Sequence, residues 1–411
     1  MAGPLSNIVV LDLTRILAGP WCTQGLADLG AEVIKVERPG SGDDTRHWGP
    51  PWWPDDIRPG ASDERRDSTY YAACNRGKKS ITVDMASKDG QDLIRRLAET
   101  ADVVVENYKV GDLKRYGLAY DDLRTINPRL IYCSITGYGQ TGSYAERPGY
   151  DFVFQGEGGL MSVTGERDDV PGGGPQKVGV AITDILSGMY ASVAILAALN
   201  HRNLSGKGQY IDLALLDCMT AFGANHAQTY LMTGHVPGRL GNAHSAMVPY
   251  QLFQTRDGHI IVAPGNDSQW RRLCKAIDRT DLLANEKFAT GAGRITHRAE
   301  LVPLLEDTFR SESLAYWLER LSANSIPNGP INDYRQVFEH PQVKHRGTRV
   351  EIPCTDGANF PVVGNPIKFS GTPIEYKLPP PKLGEHTHEV LSAKLGMTEE
   401  VIARLKRDGV L

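Results

Sequence analysis

The 411-residue sequence predicts an α/β protein with a large, mostly parallel sheet and a smaller α+β domain. Three observations carry that prediction. Short apolar runs alternate with amphipathic stretches through the first half of the chain, which is the pattern of successive βαβ units. The texture changes near Pro249, where two strand-like runs flank a tight turn and helical periodicity follows. The length corresponds to about two to three domains' worth of fold. Such alternation gives the large domain a Rossmann-like architecture, with helices on both faces of the sheet.

The elements follow in order. Ile8–Leu13 reads as a buried strand, Pro20 sits where a first-turn proline is welcome, and Trp21–Leu29 makes a helix closed by Gly30. Glu32–Glu37 completes the first βαβ unit. Ser80–Asp84, helix Lys88–Thr100 and strand Asp102–Glu106 form the next; helix Tyr120–Ile126, stopped by Asn127-Pro128, leads to strand Leu130–Ser134. Helix Ile185–Asn200, strand Gln209–Ala214 and helix Leu216–Met232 extend the series. Tyr250–Gln254 and His259–Val262 then flank Thr255-Arg-Asp-Gly258 as a hairpin, followed by helices near Gln269–Ile277, His297–Phe309 and Leu314–Ser322. Strand character returns at Thr348–Ile352 and Phe360–Val363, and the proline run Leu378-Pro-Pro-Pro381 leads into two terminal helices. The large domain is therefore expected over 1–220 and 340–411, the small one over 245–330, and linkers at 221–244 and 331–339.

Composition excludes several functional classes. A net charge of −4 offers no global attraction to nucleic acid. No window approaches ~18 uninterrupted apolar residues, so no membrane span is expected. The first residues lack a basic stretch followed by an apolar core, which is unlike a secretory signal. Six scattered cysteines, with no Cys-x-x-Cys and no Cys/His cluster, point to reduced thiols in a cytoplasm and to no zinc site. His386-Thr-His388 lacks an acidic or cysteine partner for a metal.

One carboxylate stands out. In Val178-Gly-Val-Ala-Ile-Thr-Asp184-Ile-Leu-Ser-Gly-Met-Tyr190, Asp184 lies at the mouth of an apolar helix, and its nearest acidic neighbours in sequence are Asp169 and Asp212. It either caps the helix or does chemistry. A competing motif, Gly137-Tyr-Gly139-Gln-Thr-Gly142, satisfies G-x-G-x-x-G after a strand. Ser143–Gly149 is not an amphipathic helix, however, so no helix N-terminus is offered to a pyrophosphate, and a glycine-rich loop is the better reading.

Several separated segments together resemble the class III CoA-transferases, the formyl-CoA transferase family. They are Leu11–Pro20, Gly30–Asp43, Asn75–Ile81, Val105-Glu-Asn-Tyr108, Ile131–Gly139 and Leu383–Thr387, in family order and spacing over nearly the whole chain. The resemblance implies an interlocked, ring-like homodimer and a catalytic aspartate at Asp184. It implies coenzyme A thioester as substrate and no permanently bound cofactor. By family position, Ile16, Ala18, Arg38, Lys78, Asn107, Tyr108 and Arg115 are the CoA-binding candidates. The superfamily also contains α-methylacyl-CoA racemases, which place a histidine where this chain has Tyr150; a tyrosine with pKa near ~10 is a poor base for an α-proton. A non-catalytic CoA-binding protein is a third possibility, and would not need Asp184.

For the substrates, Leu17 stands where formyl-CoA transferase has glutamine, and the family's glycine-run lid is replaced by Asn242–Tyr250. Both departures count against a formyl/oxalate pair. Closer similarity is to the succinate–glutarate (hydroxymethylglutarate) branch, notably at Gly40–Arg46, His244–Gln251 and Ala263–Asn266. That implies succinyl-CoA as donor and a dicarboxylate such as glutarate as acceptor. A distal carboxylate needs a cation. Arg15, Arg46 and His244 are the candidates, with Trp48 and Tyr150 as further substrate contacts. Taken singly, each of these cations is better explained by an ion pair with Asp43 or Asp44, or by surface exposure.

Overall fold

The computed structural model describes residues 3–54, 67–354 and 357–411. Contacts divide the chain into two units, one of 1–160, 178–232 and 342–411, the other of 161–177 and 233–341. The sequence reading ran the first unit unbroken through 1–220; the contacts group 161–177 with the second unit and keep 221–232 in the first.

In the first unit, strands β1 (Val9–Asp12), β2 (Glu32–Glu37), β3 (Lys78–Thr82), β4 (Val103–Glu106), β5 (Ile131–Thr136) and β6 (Tyr210–Ala214) make one sheet in the order 3-2-1-4-5-6. Every neighbouring pair is parallel. The strands are short, and buried Val, Ile or Leu side chains point to both faces because helices cover the sheet on either side. On one face lie α1 (Ala18–Asp28), α2 (Asp151–Glu157) and α3 (Ile182–Ser205), whose Cys22, Leu26, Phe154, Ala191 and Ile195 pack on Val33, Val103 and Ile131. Helices Lys88–Thr100 and Tyr120–Ile126 and the terminal helices Thr387–Leu395 and Glu399–Arg407 cover the other, through Ile94, Leu97, Leu123, Leu391 and Leu405.

Three local differences from the sequence reading have physical causes. Helix α3 starts at Ile182, three residues early, because a side chain from α2 caps it from outside. It is also long and apolar enough to cross a membrane, although the sequence reading found no such window. Here it lies along α1, and its own Gly188 permits the approach: a Cβ there would stand 2.6 Å from the Ala18 carbonyl oxygen and 3.1 Å from Trp21. The expected helix Leu216–Met232 breaks into Leu215–Phe222 and Ala224–Thr233, with Ala224 at φ +41°.

In the second unit, β7 (Gln251–Gln254) and β8 (His259–Val262) form the expected antiparallel hairpin, closed by Thr255 N–H to the Gly258 carbonyl at 2.9 Å. A third strand, Asn328–Pro330, pairs with β8. Three residues carry no visible alternation, so pattern alone could not find it. Helices Asp267–Ala276, Arg298–Arg310 and Leu314–Ala323 bury Trp270, Leu305, Phe309 and Trp317 beneath the hairpin.

Candidate active site

The strand order reverses between β1 and β4, and a parallel sheet binds ligands outside the carboxyl ends of the strands at that point. The loop leaving β1 is held there by buried side chains. Asp12 is fully buried and accepts from Thr14, Thr23 and Lys78. Burial alone would raise its carboxyl, but Lys78 and Lys35 together with the two hydroxyls bring it down to about 2. Lys35 Nζ donates to the Thr14 carbonyl and to Asp43, each at 2.9 Å. Asp43 in turn accepts from Ile16 N–H at 3.2 Å. Asn107, beyond β4, clasps Arg15 through both backbone groups, at 2.9 Å to the N–H and 2.6 Å to the carbonyl. These bonds hold Ile16 at φ +73°, a conformation an isoleucine rarely adopts.

Asp184 reaches the same place from the other side. It is the third residue of α3, after an N-cap, Ala181, that makes no side-chain bond. The cap comes from Asp151, the first residue of α2, whose Oδ1 accepts Thr183 N–H at 2.7 Å. Gln155, a turn further along α2, donates to Asp151 at 2.7 Å and accepts Val178 N–H at 2.8 Å. The sequence reading left cap or chemistry open for Asp184; the capping belongs to Asp151. Among the described residues no donor or cation pairs with the Asp184 carboxylate, which is only 7% exposed. Burial, with the Asp151 charge nearby, pushes its pKa up to about 7. A helix N-terminus favours a carboxylate by only ~0.3–1 kcal/mol at the surface, so desolvation wins.

The two sides enclose a cleft of about 170 Å³, walled by Arg15, Ile16, Ala18, Asn107, Tyr108 and Asp184, with Tyr150 at its rim. All seven are residues that the sequence singled out. Burial raises the Tyr108 phenol to about 12 against the opposing effect of Arg15, Lys35 and Arg38, so exposed Arg38 lies within electrostatic reach of this wall. The remaining candidates stand elsewhere. Lys78 Nζ is fully buried and spends its donors on Asp12, the Pro20 carbonyl and Asn75, each at 3.0 Å, so it has none for a phosphate. Arg46 is likewise committed, forked onto Glu37 at 2.8 and 2.7 Å and lying 3.8 Å over the Tyr71 ring, which removes it as a substrate cation. Its partners are Glu37 and Asp67, the latter at 2.9 Å, rather than Asp43 or Asp44; Arg15 is the one that pairs with Asp44, at 2.7 Å. Arg115 pairs with Asp112 at 3.2 Å away from the cleft wall. Trp48 stands edge-on to Tyr70 with centroids 5.1 Å apart. His244 belongs to the second unit, where its Nδ1 accepts Ala246 N–H at 3.0 Å.

Two site residues were missed. Tyr70 is half-buried, and its phenol is raised by burial and then by the Asp184 charge, so it lies within electrostatic reach of the nucleophile candidate. Arg147 lines the cleft with its guanidinium 3.5 Å over the Tyr144 ring. Its position three residues before Tyr150 was the available signal. The G-x-G-x-x-G segment is a loop with Gly139 and Gly142 at φ +85° and +94°, and no helix follows it before Asp151.

A buried, unpaired carboxylate beside a crevice suited to an extended ligand is the equipment of acyl transfer. The sequence profile described as CoA-transferase family III matches residues 5–387. The chain belongs to that family. It is 48% identical over 389 residues to a succinate–glutarate CoA-transferase of Agrobacterium fabrum, covering 95% of each chain. A succinyl-CoA:glutarate CoA-transferase of Homo sapiens is 42% identical over 99% of this chain and 90% of that one. Among solved structures, a CaiB/BaiF family protein from Brucella suis superposes with a TM-score of 0.84 at 46% identity, covering 96% of this chain and 100% of that one. This member of the family is thus an enzyme that transfers CoA between carboxylic acids, with acyl-CoA and carboxylate as its substrates.

Proposed function

We propose that Asp184 is the nucleophile of this CoA-transferase, that succinyl-CoA is its donor and that a dicarboxylate such as glutarate is its acceptor. The observation that carries the first part is the isolation of Asp184: a carboxylate in the cleft that no cation or donor among the described residues holds down. The relatives' substrates support the second part.

The chemistry balances without a proton or a redox step. A carboxylate oxygen of Asp184 attacks the thioester carbonyl, the carbon–sulfur bond breaks, and a mixed anhydride and CoA thiolate result. The thiolate attacks the aspartyl carbonyl, releasing the donor's acid and leaving a thioester on Asp184. The acceptor carboxylate attacks that thioester, re-forming an anhydride and thiolate, and thiolate attack on the acceptor's carbonyl frees Asp184 and the new acyl-CoA. A pKa near 7 makes Asp184 more basic, hence more nucleophilic, than an ordinary carboxylate, while about half remains ionised at neutral pH. Ile16, Ala18 and Leu215 line an apolar wall that excludes water from anhydride and thioester. Ile16 and Ala18 offer backbone to the pantetheine, Tyr108 lies alongside, and exposed Arg38 is the cation for the phosphates; Asn107 acts by holding the Arg15 backbone.

The working unit is a homodimer. Met189, Tyr190, Val193 and Leu196 form an exposed apolar stripe at helical spacing on α3, and Phe152 and Val153 of α2 are exposed as well, which suits a second copy as cover. Six free, buried thiols suit a reducing, cytoplasmic setting. Racemisation is disfavoured because Asp151, the other acid beside Asp184, is engaged with Thr183 N–H and Gln155.

The test is Asp184→Ala with succinyl-CoA and glutarate. Transfer should fall by about a thousandfold or more while free CoA still binds. In the unmodified enzyme, succinyl-CoA followed by hydroxylamine and mass analysis should mark Asp184. Transfer retained in the variant would overturn the assignment.

A further inference from the structure

A dicarboxylate brings a second negative charge into a cleft that already holds Asp184, with Asp151 beside it. Some cation must meet it. Three cationic side chains line the cleft, Arg15, Lys109 and Arg147. Arg15 is already paired with Asp44 at 2.7 Å, and Lys109 is a point charge on a flexible stem. Arg147 has no carboxylate partner among the described residues, and its guanidinium is oriented by the Tyr144 ring 3.5 Å beneath it.

The support under Arg147 is built in depth. Tyr144 meets Tyr138 edge-on at 5.6 Å, and Tyr138 meets the fully buried Phe154 of α2 at 5.1 Å. Tyr138 Oη donates to Glu157 at 2.9 Å, and Arg147 N–H donates to the Tyr144 carbonyl at 2.9 Å. Gly149 lets the loop lie down on this platform, because a Cβ there would stand 2.3 Å from the Phe154 ring. The same loop runs through Tyr150 into Asp151, which caps the helix bearing Asp184. Stacking fixes the plane of the guanidinium and leaves its N–H edge for a planar, bidentate partner.

We propose that Arg147 is the specificity-determining residue of this cleft, binding the distal carboxylate of the dicarboxylic acyl group as a forked pair. The proposal rests on Asp184 as the nucleophile. Donor and acceptor acyl groups occupy the same position in turn, so one arginine serves both halves of the exchange.

The experiment compares succinyl-CoA with butyryl-CoA, which has the same chain length and no distal carboxylate. The rate of forming the Asp184–CoA thioester is measured for wild type, Arg147→Met and Arg147→Lys. Wild type should prefer succinyl-CoA; in Arg147→Met the kcat/KM for succinyl-CoA should fall at least about tenfold with butyryl-CoA nearly unchanged, collapsing the preference. Arg147→Lys, keeping charge without the fork, should fall between, and affinity for free CoA should not move in either. A preference that survives both substitutions, or an equal loss for both thioesters, overturns the proposal. Wild type that reacts but leaves Asp184 unmodified overturns the nucleophile assignment, and this proposal with it.

Discussion

Asp184→Asn should stabilise the fold at alkaline pH while abolishing transfer. The carboxyl rises from the ordinary 3.8 to about 7 on folding, because burial and the Asp151 charge disfavour its ionised form. At ~1.4 kcal/mol per pH unit this is ~4 kcal/mol of penalty on the charged fold. The sign follows from proton binding. Between about pH 4 and 7 the folded protein holds the Asp184 proton and the unfolded chain does not, so stability declines as pH rises through that window and stays low above it. Asparagine cannot ionise, so at pH 8 it escapes the penalty, less ~1–3 kcal/mol for an amide that inherits no partner. The net gain is ~1–3 kcal/mol, a rise of about 1–4 °C in Tm for a chain of this length. At pH 5, where Asp184 is protonated in the fold, the gain should vanish or reverse. Thermal unfolding of both proteins at pH 5 and pH 8 reads the difference directly. An equal effect at the two pH values, or an asparagine variant less stable at pH 8, would refute the buried, unpaired state of this carboxylate.

Asp151→Asn keeps an oxygen to accept Thr183 N–H but removes the charge that helps raise Asp184, so the acid limb of kcat/KM against pH should move toward lower pH; a limb that stays put would separate the two acids. Lys78→Met leaves Asp12 buried without its ion-pair partner and should lower stability to urea by ~3–5 kcal/mol with free-CoA affinity little changed in the folded protein. Weaker CoA binding at unchanged stability would restore Lys78 as a phosphate ligand.

The fold was legible because its signals are local. A strand such as Val103–Glu106, apolar up to its last residue, and a helix such as Lys88–Thr100, apolar on one face, declare themselves within a few residues, and their alternation fixes a parallel sheet. The cleft residues Ile16, Ala18, Asn107 and Tyr108 came from the family resemblance, and the fold supplies the physical reason for their place: they follow strand ends, where a doubly wound sheet puts its ligands. The misplaced residues were those whose role depends on distant partners. Lys78 and Arg46 look like free cations in sequence, and only the fold brings Asp12, 66 residues away from Lys78, and Glu37 against them. Tyr70 carries no local mark and Arg147 only its closeness to Tyr150, since what distinguishes them is the Asp184 charge acting on the one and the aromatic platform under the other.

The same separation explains how Asp184 can be both costly and useful. Had the helix start been capped by Asp184 itself, its oxygens would have been occupied by backbone N–H groups and its pKa drawn down, leaving a weak nucleophile. Asp151 takes that duty from a different helix, with Gln155 steadying it, so Asp184 keeps both oxygens free. The close packing of α3 on α1 at Gly188, one turn further on, then fixes the start of α3 beside the loop whose Ala18 shares the cleft wall with Asp184. Burial that destabilises the ionised carboxylate by ~4 kcal/mol would, under the proposed mechanism, also keep hydroxide away from an anhydride or thioester formed there. A water-filled site would relieve the first and forfeit the second.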